Sequence, residues 1–329
     1  MPLVRALRDP ASVAAIDGAG WTDLIAMARA EQLAGSLAER VAGLPMPPAA
    51  ARLLAAAKAS TEQGRIAALW EAEMARRALA PLDVPVVLLK GTAYVAAGLA
   101  AGVGRSIGDL DILVPRDRID EVEAALIAAG WEWVKPDPYD DDYYRRWMHE
   151  LPPLIHRERD RMIDVHHNIL PLTARISPNV GAMLADRIDL GTGLSVLSRE
   201  DMVLHSVAHL FADGDLAGGL RNLWDIHRLL DEFTDDDFIE PLAARVQRHG
   251  LVAELSRAVR LADHLYGNGA SLTAIDRLFL RRLLARDGWG RATRPVTRLG
   301  FYVRSHWLRM PPAMLARHLL TKWRKNGAR

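Results

Sequence analysis

Two carboxylates on one face of an apolar strand constrain this chain more than any other feature. In Arg105-Ser106-Ile107-Gly108-Asp109-Leu110-Asp111-Ile112-Leu113-Val114 the acids alternate with aliphatic residues. Successive side chains of a strand project to opposite faces, so Asp109 and Asp111 share one side while Leu110 and Ile112 share the other. Two like charges that close repel unless a proton or a cation intervenes. Hard divalent cations with oxygen ligands are the common solution. The pattern therefore calls for a sheet with one apolar face and one face that holds a magnesium-type ion.

Two further segments extend the pair. Val84-Pro85-Val86-Val87-Leu88-Leu89 is a β-rich run ending at Lys90-Gly91-Thr92, after which Ala93 to Ala101 has the composition of a short helix. A strand, a glycine turn and a helix N-terminus can hold a phosphate through backbone N–H groups and the helix dipole, with Lys90 adding full charge. Downstream, Arg161-Met162-Ile163-Asp164-Val165-His166-His167 alternates again, with Asp164 and His166 on one face. His167 points the other way, so His166 is the histidine that accompanies Asp164, toward a phosphate or the acceptor.

With Leu89-Lys90-Gly91-Thr92-Ala93, Arg105 with Gly108-Asp109-Leu110-Asp111-Ile112-Leu113-Val114, and Ile163-Asp164-Val165-His166 on view, the chain resembles the nucleotidyltransferases of polymerase-β-like fold, and within them a bacterial group of uncharacterised nucleotidyltransferases. The resemblance covers roughly residues 82–230. Gly91-Thr92 stands where the wider superfamily has Gly-Ser or Gly-Gly, and His167 stands where an aromatic residue is usual. The resemblance implies an α+β fold, a small mixed sheet with helices, in which Asp109 and Asp111 bind two magnesium ions (or manganese). Asp164 would join one ion and activate the acceptor. A nucleoside triphosphate, ATP foremost, would be the co-substrate.

Nucleotidyl transfer is an in-line displacement at the α-phosphorus in which attacking and leaving oxygens both need stabilising, as paired metals do. Lys90, Gly91, Thr92, Arg105 and Ser106, with His166, are the nucleotide-binding candidates, because cationic side chains and oriented N–H groups suit phosphates. The acceptor is open: a small molecule, a peptide or protein, or a nucleic acid. A non-catalytic nucleotide-binding or adaptor protein on the same fold, or a kinase-like enzyme transferring the γ-phosphate, are the alternatives. Glycosyltransferases also use an Asp-x-Asp pair. A Gly-x-x-x-x-Gly-Lys-Ser/Thr loop and a Gly-x-Ser-x-Gly elbow are both absent, and without cysteine there is no thiol chemistry. His205 and His209, four apart on a helix, lack the adjoining glutamate of a zinc protease and are better packed residues or cleft walls than zinc ligands.

Organisation along the chain is three-part: a helical region over 1–82, a β-rich core over 83–197 and a helical region over 198–329. Helices are expected over 21–44, 47–82, 117–129 and 199–211, and strands near 84–89, 109–114, 131–135, 153–157 and 162–168. The acidic run 137–144 is expected to be a solvated loop between strands; Tyr143, Tyr144 and Trp147 beside it could stack on a base. Hydrophobic residues make up 50% and charged residues 25% of 329, the balance of a globular chain with more than one core. Zero cysteines and an N-terminus without an apolar run fit the cytoplasm, and no stretch reads as transmembrane. Net charge is only +1, but residues 281–329 hold 13 Lys/Arg against Asp287 alone. Interleaved with Phe301, Tyr302, Trp307, Leu308, Leu315, Leu319, Leu320 and Trp323, this basic tail suits an anionic membrane surface or nucleic acid, or packs its aromatic face on the acidic body.

Overall fold

The computed structural model describes residues 1–135, 138–312 and 315. Seven strands, β1 (Val87–Leu88), β2 (Leu110–Leu113), β3 (Trp131–Trp133), β4 (Leu154–His156), β5 (Met162–His166), β6 (Ile188–Asp189) and β7 (Ser195–Val196), form one mixed sheet in the order β3-β4-β5-β2-β1-β7-β6. The β2–β5 and β1–β7 pairs are parallel and the others antiparallel. All four residues of β2 are buried, as a central strand demands.

Helices surround this sheet. On the N-terminal side lie α1 (Pro2–Arg8), α2 (Gly18–Ala30), α3 (Ala34–Arg40) and the long α4 (Pro48–Leu79); within the β-rich part lie α5 (Lys90–Ala96), α6 (Ile119–Ala128), α7 (Pro138–Trp147) and α8 (Val180–Ala185). The C-terminal part holds α9 (Arg199–Ala208), α10 (Gly219–Phe233), α11 (Asp236–His249), α12 (Val252–Tyr266), α13 (Ala274–Leu283) and α14 (Pro295–Arg309). In α4, Pro48 opens the helix and Ala68, Ala72, Ala75 and Leu79 bury one stripe at helical spacing, by which α4 meets β2, α5 and α6. One continuous apolar core runs from Leu3 through β1, β2 and β5 to Phe301, and no helix of the described residues is long and apolar enough to cross a membrane.

Several local expectations are corrected. The helix expected over 21–44 breaks at Gln32, which adopts φ 55°, and Leu33 N–H reaches back to Ala28 O. The break turns Leu33 and Leu37 into the core and brings Gly35 against Gly104, where a Cβ on Gly35 would lie 2.4 Å from the Gly104 carbonyl. The helix expected over 93–101 begins three residues earlier, at Lys90, and stops at Ala96, ahead of Gly98 in a left-handed conformation (φ 69°). The strand expected over 84–89 contributes only Val87 and Leu88, since Pro85 has no N–H for the ladder. The helix expected over 199–211 leaves α-geometry at His209 for a π-type turn through Asp213. The expected acidic loop is the helix α7, supported by Asp141–Arg145 and Asp142–Arg146 pairs at i,i+4. Its aromatics contact one another, Tyr143 lying 6.2 Å from Tyr144 and 5.8 Å from Trp147. The β6–β7 hairpin has no counterpart in the sequence reading, because two-residue strands are too short for periodicity to register.

The described part of the basic tail is divided: Leu283, Phe301 and Met310 are buried, while Val296, Leu299 and Val303 are exposed. Phe301 packs edge-on against Phe279 at 4.9 Å, whereas Tyr302 and Trp307 are about half exposed. Leu319, Leu320 and Trp323 lie outside the described residues.

Candidate active site

Register, more than any single residue, builds the site. The parallel β2–β5 pairing sets Asp111 opposite Asp164 and Leu113 opposite His166. Side-chain oxygens of Asp109, just before β2, Asp111 and Asp164 then come within 4.8 Å of one another. Asp109 is exposed and Asp111 is 3% exposed, so the group runs from solvent into the sheet. One Asp164 oxygen, Oδ1, is buried without a hydrogen-bond partner among the described residues. Burial first, then the Asp111 and Glu150 charges, push the Asp164 carboxyl up to about 7. A site of this kind holds a carboxyl that is short of a cation.

Asp111 is the hub. Its Oδ1 accepts from Lys90 Nζ at 2.6 Å and lies 3.0 Å from His166 Nε2. Burial opposes its charge, but Lys90 and His166 outweigh burial and hold the carboxyl well below the usual carboxylate range. Burial also works against the His166 cation, and there the Asp111 hydrogen bond and Glu150 prevail and raise its pKa. His166 Nδ1 is 3.3 Å from Glu150 Oε2, and the His149 ring stacks on His166 with centroids 5.3 Å apart. His149, Glu150 and His166 form the second group that could hold a metal, though both ring nitrogens of His166 already face carboxylates. Glu150 reaches this position through an isolated antiparallel bridge to His166.

Next to the acids, sharing Lys90 with them, is a small cavity of about 20 Å³ lined by Lys90, Tyr94, Arg105, His205, His209, Arg221 and Asp225, among others. Arg105 Nε donates to Asp225 Oδ2 at 3.0 Å, with both side chains almost fully buried, and its guanidinium sits 5.3 Å over the Tyr94 ring. Tyr94 Oη and Ser206 Oγ share a hydrogen bond of 2.6 Å. Gly91 is where Arg105 passes closest to the backbone: a Cβ there would lie 1.7 Å from Arg105 Nη1. Arg221 Nη1 donates to Ser106 O at 3.2 Å, and among the described residues Arg221 forms no salt bridge. Burial and the neighbouring Arg105 both lower its pKa. Burial, with Lys90 alongside, holds His205 down to about 3 and His209 well below its ordinary value, so both are neutral at pH 7.

Of the residues singled out by sequence, Asp109, Asp111, Asp164, Lys90 and His166 meet in one cluster, while Arg105 joins the adjoining pocket. Ser106 meets that pocket through its carbonyl. Gly91 and Thr92 are buried in the first turn of α5. His167 stays apart: its ring is buried, and Nδ1 has no hydrogen-bond partner among the described residues. Sequence reasoning missed Glu150, Arg221 and Asp225. The last two lie four apart on α10 and so share a face, a signal that was there to be used; nothing local marks Glu150, which arrives by a long-range bridge.

No curated protein matches the chain. Among solved structures, JHP933 from Helicobacter pylori aligns over 74% of this chain and 96% of its own at 14% identity, with a TM-score of 0.34, a likeness too loose to carry an argument. A family model is more decisive: it matches residues 17–267, well into the helical regions on both sides of the 82–230 stretch that carried the motif resemblance. By that match, and with the three acids gathered at the paired strands β2 and β5, the chain belongs to the family of uncharacterised nucleotidyltransferases.

Proposed function

We propose that this protein is a metal-dependent nucleotidyltransferase with a polymerase-β-like core over 83–197, which transfers a nucleoside monophosphate from a nucleoside triphosphate, ATP foremost, to an acceptor hydroxyl in the cytoplasm. The observation that carries the reading is the parallel β2–β5 register, which gathers Asp109, Asp111 and Asp164 within 4.8 Å and leaves a buried Asp164 oxygen unpartnered. An all-oxygen donor set with one orphaned carboxylate oxygen fits magnesium or manganese. Bound by these three acids, the ion supplies Lewis-acid stabilisation of charge on the transferring phosphate.

The chain's own groups do the rest. The pocket cations, Lys90 and Arg221, draw in the triphosphate, and Arg105, anchored through Nε to Asp225, offers its remaining donors to it. The Gly91 and Thr92 amides and Ser106 complete the phosphate side in this reading. His166, fixed between Asp111 and Glu150, holds the Asp111 carboxylate in place. The acceptor oxygen attacks the α-phosphorus, the bond to the bridging oxygen of the β-phosphate breaks, and pyrophosphate leaves. In this reading Asp164, a ligand on the acceptor side, orients the acceptor hydroxyl and receives its proton.

Thermal melting of wild type and Asp109→Asn with each of the four nucleoside triphosphates, with and without magnesium, tests the reading. A ligand at a hundred times its Kd stabilises the native state by about 2.7 kcal/mol. A magnesium-dependent rise for wild type that Asp109→Asn loses is expected, followed by pyrophosphate release in the presence of acceptor. No rise with any triphosphate refutes the proposal, and release of nucleoside diphosphate in place of pyrophosphate would make it a kinase.

A further inference from the structure

The outer face of α14 is apolar where a globular surface is ordinarily polar. Val296, Leu299, Val303 and Trp307 recur at spacings of three or four and so form one stripe along the helix. They are 82%, 62%, 57% and 48% exposed, respectively. The opposite side, through Phe301 and Ser305, is the one that packs on the body. The Arg175 guanidinium lies 4.3 Å over the Trp307 ring, but Val296, Leu299 and Val303 are more than half exposed, an aliphatic patch unusual for a surface that meets only water.

Its electrostatic setting narrows what covers it. Between residues 274 and 310 the chain has nine arginines, with Asp276 and Asp287 the acids. Asp276 is buried and paired with Arg260. Arg277, Arg281, Arg291, Arg294 and Arg298 are exposed, and among the described residues none of them forms a salt bridge. Arg281 and Arg294 sit at the start of the helix: Arg281 Nε donates to Thr297 Oγ1 and Arg294 Nη1 to Arg281 O. The following chain to residue 329 adds Arg317, Lys322, Arg324, Lys325 and Arg329 and no acid. A nucleic acid would engage the arginines but offers its phosphates no use for Val296, Leu299 and Val303. A bilayer with anionic headgroups satisfies both, taking the aliphatic stripe into the acyl boundary and the guanidinium groups at the phosphate level.

We propose that α14 docks the protein on an anionic lipid surface, lying in the interface along its Val296–Leu299–Val303–Trp307 stripe. The helix is part of the folded body, so docking holds the nucleotidyltransferase site at the membrane without any spanning segment.

Co-sedimentation of the full chain with vesicles tests this, using phosphatidylcholine alone and phosphatidylcholine with phosphatidylglycerol as minority component. Binding is expected to the anionic vesicles only and to fall with added salt. The triple change Val296→Ser, Leu299→Ser, Val303→Ser and the double change Arg291→Gln, Arg298→Gln should each lower it about tenfold or more. Because these side chains are exposed, both variants should melt like wild type, which separates lost docking from lost folding. Failure of wild type to bind anionic vesicles overturns the proposal, as does binding that neither variant weakens. An oligonucleotide bound in place of vesicles would assign the arginines to nucleic acid. Concentration-dependent dimerisation abolished by the triple change, without vesicle binding, would make the stripe a self-interface.

Discussion

Replacing Asp225 by alanine should be among the most damaging single changes this protein can suffer, although Asp225 lies on a helix 120 residues from its partner. The change leaves the Arg105 guanidinium, whose side chain is 6% exposed, without its carboxylate. Burial already acts against that charge, and Asp225 is the main group that offsets it. Removing one member of a buried ion pair costs about 3–5 kcal/mol, most of it the penalty of the charge left behind. The Tyr94 ring at 5.3 Å returns some of this, a cation–π contact being about 0.5–2 kcal/mol, so a net loss of about 3 kcal/mol is expected. Urea unfolding followed by tryptophan fluorescence, with Trp224 next to the lesion on α10, measures it. The double variant Arg105→Met with Asp225→Leu has no orphaned charge and should recover most of the loss, as apolar replacements of buried pairs commonly do. A loss below about 1 kcal/mol for Asp225→Ala, or single and double losses that simply add, would show that the pair is not a dry one and refute the reasoning.

Gly91→Ala drives a Cβ to 1.7 Å from Arg105 Nη1 and displaces the same guanidinium; it should destabilise by about 1–3 kcal/mol and much less in an Asp225→Ala background, because both changes break one contact, as a double-mutant cycle would register. Arg221→Gln should leave the melting temperature near that of wild type while weakening inorganic tripolyphosphate binding at least tenfold by calorimetry; unchanged affinity would remove Arg221 from the phosphate side. His205, held down to about 3 in the folded protein by burial and Lys90, titrates near 6.5 when unfolded, so the unfolded chain binds the extra proton between those values. The stability contributed by keeping it neutral is complete above pH 6.5 and falls by about 1.4 kcal/mol per pH unit below it; His205→Asn should shallow the loss between pH 6.5 and 5 by about 2 kcal/mol in urea melts, and an unaltered pH slope would contradict this.

The sequence by itself determined which residues meet within each element. Alternation placed Asp109 beside Asp111 and Asp164 beside His166, because a strand's period of two is a local property of the backbone. Family motifs, likewise contiguous, pointed to the nucleotidyltransferases. Element ends were legible where a proline or glycine punctuated them, as at Pro47, which caps α4 one residue before its first turn, and were lost where packing overruled pattern: Gln32 turns left-handed so that Leu33 and Leu37 reach the core. Tertiary structure alone decided the rest. Only the parallel pairing of β2 with β5 puts Asp111 opposite Asp164, and a one-residue slip of β5 would have turned Asp164 to the other face. Glu150 enters through a contact with His166 that nothing in the neighbouring sequence encodes, and Asp225, though on one face of α10 with Arg221, meets Arg105 only across the fold. The aliphatic stripe of α14 is ordinary in sequence and becomes informative only because Phe301 and Ser305, on the other side, are the residues the body buries. Local periodicity fixes which side chains share a face; the free energy of burying one face and not another is settled by the whole chain at once.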